Sequence, residues 1–249
     1  SVTAPSRAAY LALKPASNAA GRDHAADRAH LIALLDRFGA QHPQPDATHY
    51  SGQIGKHMLK WESHTEFVTY TIFGDGMAAR PFDAETFAVF PADWLGAAPG
   101  VRITSALIRV ERLAGDDGIL DKVGDWFVPE SLAISRVLDD GLVVAADFRI
   151  DVGGHMRFAV FARPETGRRR IGRVVQRLCE IETYKAMSML GLAMTRELGP
   201  KMGEIDGRLT ALLADMAGDA AKPEMVLRDL LTTSAELENI VAQTSFRFG

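Results

Sequence analysis

Cysteine is almost absent from this chain, which has one, Cys179, among 249 residues. A single thiol excludes an internal disulfide and a multi-cysteine metal site, and it suits a reducing compartment. Long apolar runs are missing too, since no stretch reaches the roughly 18 residues of a membrane-spanning helix and no signal peptide is recognisable. The net charge of -4 provides no global basic field, so we expect no nucleic-acid partner.

Motifs of the common enzyme classes are missing as well. The sequence has no Walker-type phosphate loop, no dinucleotide-binding fingerprint after a strand, no Gly-x-Ser-x-Gly elbow and no histidine pair at helical zinc spacing. What is present is the composition of an ordinary globular protein, 47% hydrophobic and 24% charged. The residues therefore predict an architecture more clearly than an activity.

The composition changes along the chain in the way typical of an α+β protein. Residues 1–165 are rich in Val, Ile, Phe and Thr, whereas residues 166–249 are rich in Leu, Met, Ala and Glu. We expect a sheet-dominated region followed by a helical region, packed on the first and leading to a missing C-terminal segment. Both ends are interpreted as cut from a longer polypeptide.

Alternating and β-branched segments predict an antiparallel or mixed sheet of five to seven strands with packed helices. The predicted strands are Arg7 to Leu13, His57 to Phe73, Val101 to Leu113, Ser131 to Leu138, Leu142 to Asp151 and Met156 to Arg163. Apolar residues at helical spacing predict a helix over Asp27 to Phe38, which Gly39 should end.

About three helices are predicted in the C-terminal region. The first, Ile171 to Leu198, should end at Pro200 because proline has no backbone N–H to donate, and the second covers Gly203 to Met216. The last begins near Pro223 and carries a mainly apolar stripe of coiled-coil spacing. The members of that stripe are Leu227, Leu230, Ser234, Leu237 and Val241. The stripe either packs on its own domain or continues into a partner helix.

A polar cluster lies within the predicted strand His57 to Phe73. If that strand is regular, Glu62, His64 and Glu66 share one face. Two carboxylates and an imidazole at this spacing suit a divalent metal or acid/base catalysis, and a carboxylate neighbour should raise the pKa of His64. A solvated strand face with a cross-strand ion pair fits equally, because no zinc motif has this spacing.

Two further polar groups occur around the start of the predicted long helix. The basic group consists of Arg168, Arg169, Arg170 and Arg173. It suits binding of an anion or contact with a lipid surface, or it is simply a solvated patch. Glu180 and Glu182 follow within the helix, and Cys179 beside them is expected to be a buried, inert thiol. If these glutamates meet the strand cluster, their crowding requires a cation, arginine partners or raised pKa values.

Two segments resemble the signatures of a bacterial family of uncharacterised membrane-anchored proteins, domain of unknown function 3422. They are Lys60 to Tyr70 (KWESHTEFVTY) and Val175 to Met187 (VQRLCEIETYKAM), and Pro91 to Leu95 and Asp147 to Ile150 are similar to the family too. The resemblance covers almost the whole chain. It implies a sheet-containing region, long helices and a hydrophobic C-terminal anchor that is not in this sequence. It supplies no catalytic residues.

Two functions of different classes follow from these observations. The first is a non-enzymatic binding or assembly module, a soluble head in the cytoplasm at the inner face of a bacterial cytoplasmic membrane. It would form a homo-oligomer or bind a helical protein partner, and reach the membrane through a segment absent from this chain. The alternative is a metal-assisted hydrolase or acid/base enzyme using Glu62, His64 and Glu66, which requires a concave site around His64. Neither function predicts a particular cofactor.

Overall fold

The structure of the chain, a computed structural model, describes residues 2–15, 22–113, 118–217 and 223–248. These residues form two compact units, the first running to Tyr184 and the second beginning at Lys185. The division at residue 165, drawn from composition, stays a prediction. The first unit contains the sheet and the candidate functional site.

Eight strands in the described part of the chain form one mixed sheet. Their bounds are β1 Ser6–Lys14, β2 His49–Ile54, β3 His57–Ser63, β4 Val68–Asp75, β5 Val101–Arg112, β6 Ala133–Val137, β7 Leu142–Ala146 and β8 Met156–Ala162. The strand order is β2-β3-β4-β1-β5-β8-β7-β6. Neighbouring strands are antiparallel except β5 and β8, which are parallel. The predicted α+β class with a mixed sheet is confirmed.

The sheet has more strands than the five to seven predicted, for two reasons. The segment expected to be a single strand reverses direction after Ser63, where the backbone N–H of His64 donates to the carbonyl of Phe67 at 2.9 Å. This turn carries neither glycine nor proline, so it lacks the usual turn signals. The edge strand β2 was not predicted, because Tyr50 and Ile54 are the only large apolar residues in a short polar segment.

The described residues contain five α-helices: α1 His24–Arg37, α2 Ala92–Gly96, α3 Ile119–Trp126, α4 Arg168–Ala217 and α5 Pro223–Phe248. Helix α1 corresponds to the predicted helix, and the side chain of Asp23 caps it by accepting the backbone N–H groups of Ala25 and Ala26. Within the described ranges, none of these helices has a stretch long and apolar enough to cross a membrane.

Two helices follow the sheet in the described residues, so the prediction of about three is wrong. Helix α4 continues through Pro200, which was expected to end it. The proline removes one i→i−4 hydrogen bond, at a cost of about 3 kcal/mol, and Gly199 before it is a poor helix former, yet the helix continues through Lys201 and Met202. An ion pair of 3.1 Å between Lys201 and Glu197 also spans this turn.

Each face of the sheet has its own core. The α1 face, covered by α1, α2 and α3, buries Trp61, Tyr70 and Phe161. The opposite α4 face packs the first turns of α4 against β1, β5 and β8, with Ile171 and Val175 fully in the core. Because side chains alternate along a strand, the central strands β1, β5 and β8 contribute to both faces.

Candidate functional site

A cavity of about 530 Å³ lies on the α4 face, where β3 and β4 meet the first turns of α4. Alternation along β4 directs Thr69, Thr71 and Phe73 to this side and Tyr70 and Ile72 into the core of the α1 face. Helix α4 packs on strands β1, β5 and β8, which leaves a hollow over β3 and β4. A volume of this size is typical of small-molecule sites, which span roughly 300–1,000 Å³.

The acidic side chains of the cavity are each held by a basic neighbour. Glu62 on β3 pairs with Lys60 on the same strand face, with 2.8 Å between Oε2 and Nζ. Glu180 on α4 accepts Arg177 at 3.1 Å and Gln176 at 2.8 Å. The carboxylate crowding that the sequence suggested is therefore relieved locally, by partners of opposite charge.

The basic side chains at the start of α4 have a different status. Arg168, Arg169 and Arg173, called here the arginine cluster, are exposed and line the cavity. None of the three has a carboxylate partner within ion-pair distance among the residues that the structure describes. Arg170 belongs to the same sequence patch but does not line the cavity. The charge that the cavity leaves unbalanced is therefore positive.

The floor of the cavity is uncharged. The hydroxyl of Tyr10 lies 2.5 Å from Oγ1 of Thr183, and Thr183 donates onward to the backbone carbonyl of Cys179 at 2.9 Å. All three side chains are buried, and the predicted burial of Cys179 is confirmed. Burial raises the pKa of Tyr10 and the pKa of Cys179 well above their ordinary values, so both groups stay protonated near neutral pH.

His64 lies in the turn between β3 and β4 and lines the cavity, although its side chain remains exposed. Its ring packs against Phe67 with 4.5 Å between centroids, and its backbone carbonyl accepts a hydrogen bond from Arg22. Desolvation by the surrounding protein lowers the pKa of His64 and outweighs the opposite effect of Glu62. The prediction that a carboxylate would raise this pKa is therefore wrong in its net direction.

Three members of the predicted polar cluster meet at the cavity: Glu62, His64 and Glu180. Glu66 lies in the turn beside His64 and does not line the cavity, so the predicted common strand face is wrong. Glu182 is buried in another direction, where it accepts the hydroxyl of Thr104 at 2.8 Å.

Several lining residues were missed at the sequence level. Tyr10 and Thr183 carry no pattern that separates them from core residues. Thr69 and Thr71 do carry a signal, because polar residues alternating with Tyr70 and Ile72 are typical of a strand with one face outside the packed core.

The chemistry that the enzyme alternative needs is only partly present. His64 does lie in a concave site, and its lowered pKa keeps the imidazole neutral near pH 7. However, no group of three or more His, Cys, Asp and Glu side chains in the described ranges is arranged to hold a metal ion. A Ser105–His155 contact of 2.8 Å occurs elsewhere, but Ser105 is only 1% exposed and cannot reach a substrate.

Fold and site together define an α+β protein with a mixed sheet and a small-molecule-sized, arginine-lined cavity beside its long helix. The family model described as "Protein of unknown function (DUF3422)" matches residues 1–249, so the chain belongs to this family. The resemblance drawn from the Lys60 and Val175 segments is thereby confirmed, while membrane anchoring stays a prediction. No curated protein and no solved structure matches the chain.

Proposed function

We propose that this protein is a non-enzymatic binding module that takes a small anionic molecule into the cavity of the α4 face. One observation carries the proposal: within the described residues, the cavity pairs both of its carboxylates internally and leaves three arginines available. Guanidinium groups bind phosphate and carboxylate oxygens through charge-assisted, often bidentate hydrogen bonds. A site with this balance of charge attracts anions.

The floor of the cavity supports binding rather than chemistry. The two nucleophilic groups that line it, Tyr10 and Cys179, have raised pKa values because they are buried. A protonated phenol or thiol is a poor nucleophile near neutral pH. Thr183 is already engaged with the hydroxyl of Tyr10 and the backbone carbonyl of Cys179. The floor therefore shapes and seals the cavity.

Arg169 and Arg170 provide a matched pair for testing the site. They are adjacent, exposed and equally charged, but only Arg169 lines the cavity. A ligand held inside the cavity depends on Arg169 and is almost insensitive to Arg170. A diffuse electrostatic attraction to an anionic surface depends on both to a similar extent.

The experiment is native mass spectrometry of the protein as purified and after incubation with inorganic phosphate, for the wild type, Arg169→Ala and Arg170→Ala. We expect an anionic adduct on the wild type and on Arg170→Ala, and a clear loss of that adduct in Arg169→Ala. No adduct in any sample, or equal adducts in all three, would contradict the proposal. Equal losses in both variants would contradict it as well, because they indicate a diffuse surface.

A second role, assembly, has its own supporting observation in the unit that begins at Lys185. Helix α5 leaves large apolar side chains exposed on one face, with Leu227 at 59% and Leu231 at 63%, one turn apart. We propose that this helix face binds a second copy of the chain or a helical protein partner, with the soluble head at the inner face of the cytoplasmic membrane. Exposed apolar residues grouped on one helix are typical of such contacts.

Assembly is tested by sedimentation velocity over a range of protein concentrations. The wild type should show a concentration-dependent oligomer, and a Leu227→Glu/Leu231→Glu variant should be monomeric. Thr232→Glu is the control, since Thr232 is an exposed polar residue of the same helix. A wild type that is monomeric at every concentration would overturn self-assembly, and an oligomer unaffected by the double variant would overturn the role of this helix face.

A further inference from the structure

We infer that the ligand is an elongated amphiphile with a phosphate group at one end and an apolar body, bound lengthwise beside α4. This inference rests on the proposed function and specifies the class of molecule that the cavity takes. It follows from how charged, apolar and hydrogen-bonded groups are distributed along the cavity.

The cavity is long in one direction. Helix α4 lines it from Arg168 to Tyr184, and 16 residue steps of helix at 1.5 Å each correspond to about 24 Å. The arginine cluster occupies only the first turns of this distance. A compact anion alone would leave most of the cavity's length unused.

The middle of the cavity favours an apolar ligand body. Val175 and Cys179 of α4 line it, and the hydroxyls of Tyr10 and Thr183 are already bonded within the protein. Lys60, which the strand register places level with Tyr10, is likewise paired, with Glu62 at 2.8 Å. Hydrogen-bonding groups that are satisfied internally offer nothing to a polar ligand, whose own groups would lose their water partners. An alkyl or aromatic segment loses nothing there and gains from leaving water.

The far end of the cavity carries no net charge at neutral pH. His64 is near Glu180, and the lowered pKa of its imidazole keeps it neutral there. Glu180 is paired with Arg177 at 3.1 Å. The ring of Phe67 packs against His64 and closes this end with an apolar surface. The ligand's charge is therefore expected at one end, beside the arginine cluster.

The number of arginines favours phosphate over carboxylate. A phosphate monoester has three terminal oxygens and a charge near -2 at neutral pH, which matches three guanidinium groups. A carboxylate has two oxygens and one charge, so it would leave one arginine of the cluster unused. A ligand with a phosphate group should accordingly bind more tightly than a ligand with a carboxylate group and the same apolar body.

Gly172 lies within the arginine cluster, directly before Arg173, and it lines the cavity. A Cβ atom at this position would meet Val2 at 3.6 Å, an ordinary contact, so alanine fits here. Glycine within a helix is less stable than alanine by about 1 kcal/mol, and here it keeps the cavity wide. A larger side chain at Gly172 should narrow the cavity at the arginine cluster and obstruct the ligand there.

The experiment is isothermal titration calorimetry of the full chain with four probes: octyl phosphate, octanoate, octanol and inorganic phosphate. We expect octyl phosphate to bind about ten-fold or more tightly than each of the other three. Arg169→Ala should weaken octyl phosphate binding about ten-fold, and Arg170→Ala should change it less than about two-fold. Gly172→Leu should weaken octyl phosphate binding, because its side chain narrows the cavity. Thermal unfolding of each variant verifies that it is folded.

The outcomes separate this inference from the proposed function. If inorganic phosphate binds as tightly as octyl phosphate and Arg169→Ala abolishes both, the apolar body is wrong and the anion-binding cavity stands. If octanoate matches octyl phosphate, the preference for phosphate is wrong. If octanol matches it, or no probe binds, both inference and proposed function are wrong. If vesicles containing phosphatidylserine bind and both arginine variants weaken that binding equally, the patch contacts a membrane surface and both proposals fail.

Discussion

The two faces of the strand pair β3 and β4 differ in how they are packed. On the α1 face, Trp61 and Tyr70 are fully buried against other aromatic rings. On the α4 face, residues one position away, Lys60 and Thr71, line an open cavity. Strand geometry is the same on both faces. The helices that cover each face therefore decide whether it becomes packed core.

The α1 face is closed by a hydrogen-bonded aromatic cluster. His30 of α1 stacks on Trp94 at 3.9 Å, and the indole N–H of Trp94 donates to the carbonyl of His30 at 2.8 Å. Nε2 of His30 lies 3.0 Å from the carbonyl of Trp94, so this nitrogen carries the proton, and Nδ1 accepts the hydroxyl of Tyr70 at 3.1 Å. Both ring nitrogens of His30 are satisfied, so this ring has no free hydrogen-bonding group for a ligand.

The largest predicted effect contrasts the two faces by stability. Trp94→Ala should lower the free energy of unfolding by about 3–5 kcal/mol, because it removes a buried indole and its hydrogen bond. Met58→Ala, on the cavity side and 45% exposed, should lower it by less than about 1 kcal/mol. Urea denaturation measures both. Similar losses for the two variants would mean that the α4 face is packed as tightly as the α1 face.

A smaller effect concerns pH. Burial lowers the pKa of His30 below its ordinary value of 6.5, so the unfolded chain binds the proton more readily than the folded chain. Stability should therefore be unaffected by His30 above about pH 7 and should fall as the pH drops through 6.5. The midpoint of urea denaturation, followed between pH 8 and pH 5, measures this.

His30→Asn should flatten that pH dependence, since it removes one of the groups that resist protonation in the folded state. His24→Gln is the control, because His24 is exposed at the start of α1. His57, His64 and His155 also have lowered pKa values, so part of the slope should remain in His30→Asn. A slope that is unchanged in His30→Asn would contradict the buried, neutral state assigned to this ring.

The smallest effect sharpens the electrostatic side of the comparison. Glu62→Gln removes the partner of Lys60 and leaves an additional positive charge in the cavity. Both groups are about one-third exposed, so solvent screens the change and the affinity for octyl phosphate should rise about two- to five-fold. Glu66→Gln is the matched control, because Glu66 is near but does not line the cavity. An equal gain in both variants would indicate a general charge effect.

The sequence predicted the fold where hydrophobic periodicity was strong. β5 was found from its β-branched, alternating start, β7 and β8 from the turns that bound them, and α1 from its apolar residues at helical spacing. The turn after Ser63 was missed because tertiary pairing with β4, rather than glycine or proline, stabilises it. The continuation of α4 through Pro200 was missed because the cost of one lost hydrogen bond is small beside the stability of a 50-residue helix.

The candidate site was predictable only in part. Residues of the strand segment and the helix segment do meet at the cavity, namely Glu62, His64 and Glu180. Glu66 was predicted to share their face because the segment was interpreted as one long strand, and it does not line the cavity. The role of the arginine cluster could not be separated from plain solvated surface, because the sequence does not say which side chains have partners. Pairing of Glu62 with Lys60 depends on strand geometry, and the cavity depends on where α4 crosses the sheet.

The most direct test of the central claim is a crystal structure of the protein soaked with octyl phosphate. The account predicts density for the phosphate in contact with Arg168, Arg169 and Arg173, and for the alkyl chain alongside Val175 and Cys179. Phosphate bound at Arg170 outside the cavity, or an alkyl chain inserted in the core of the α1 face, would contradict it.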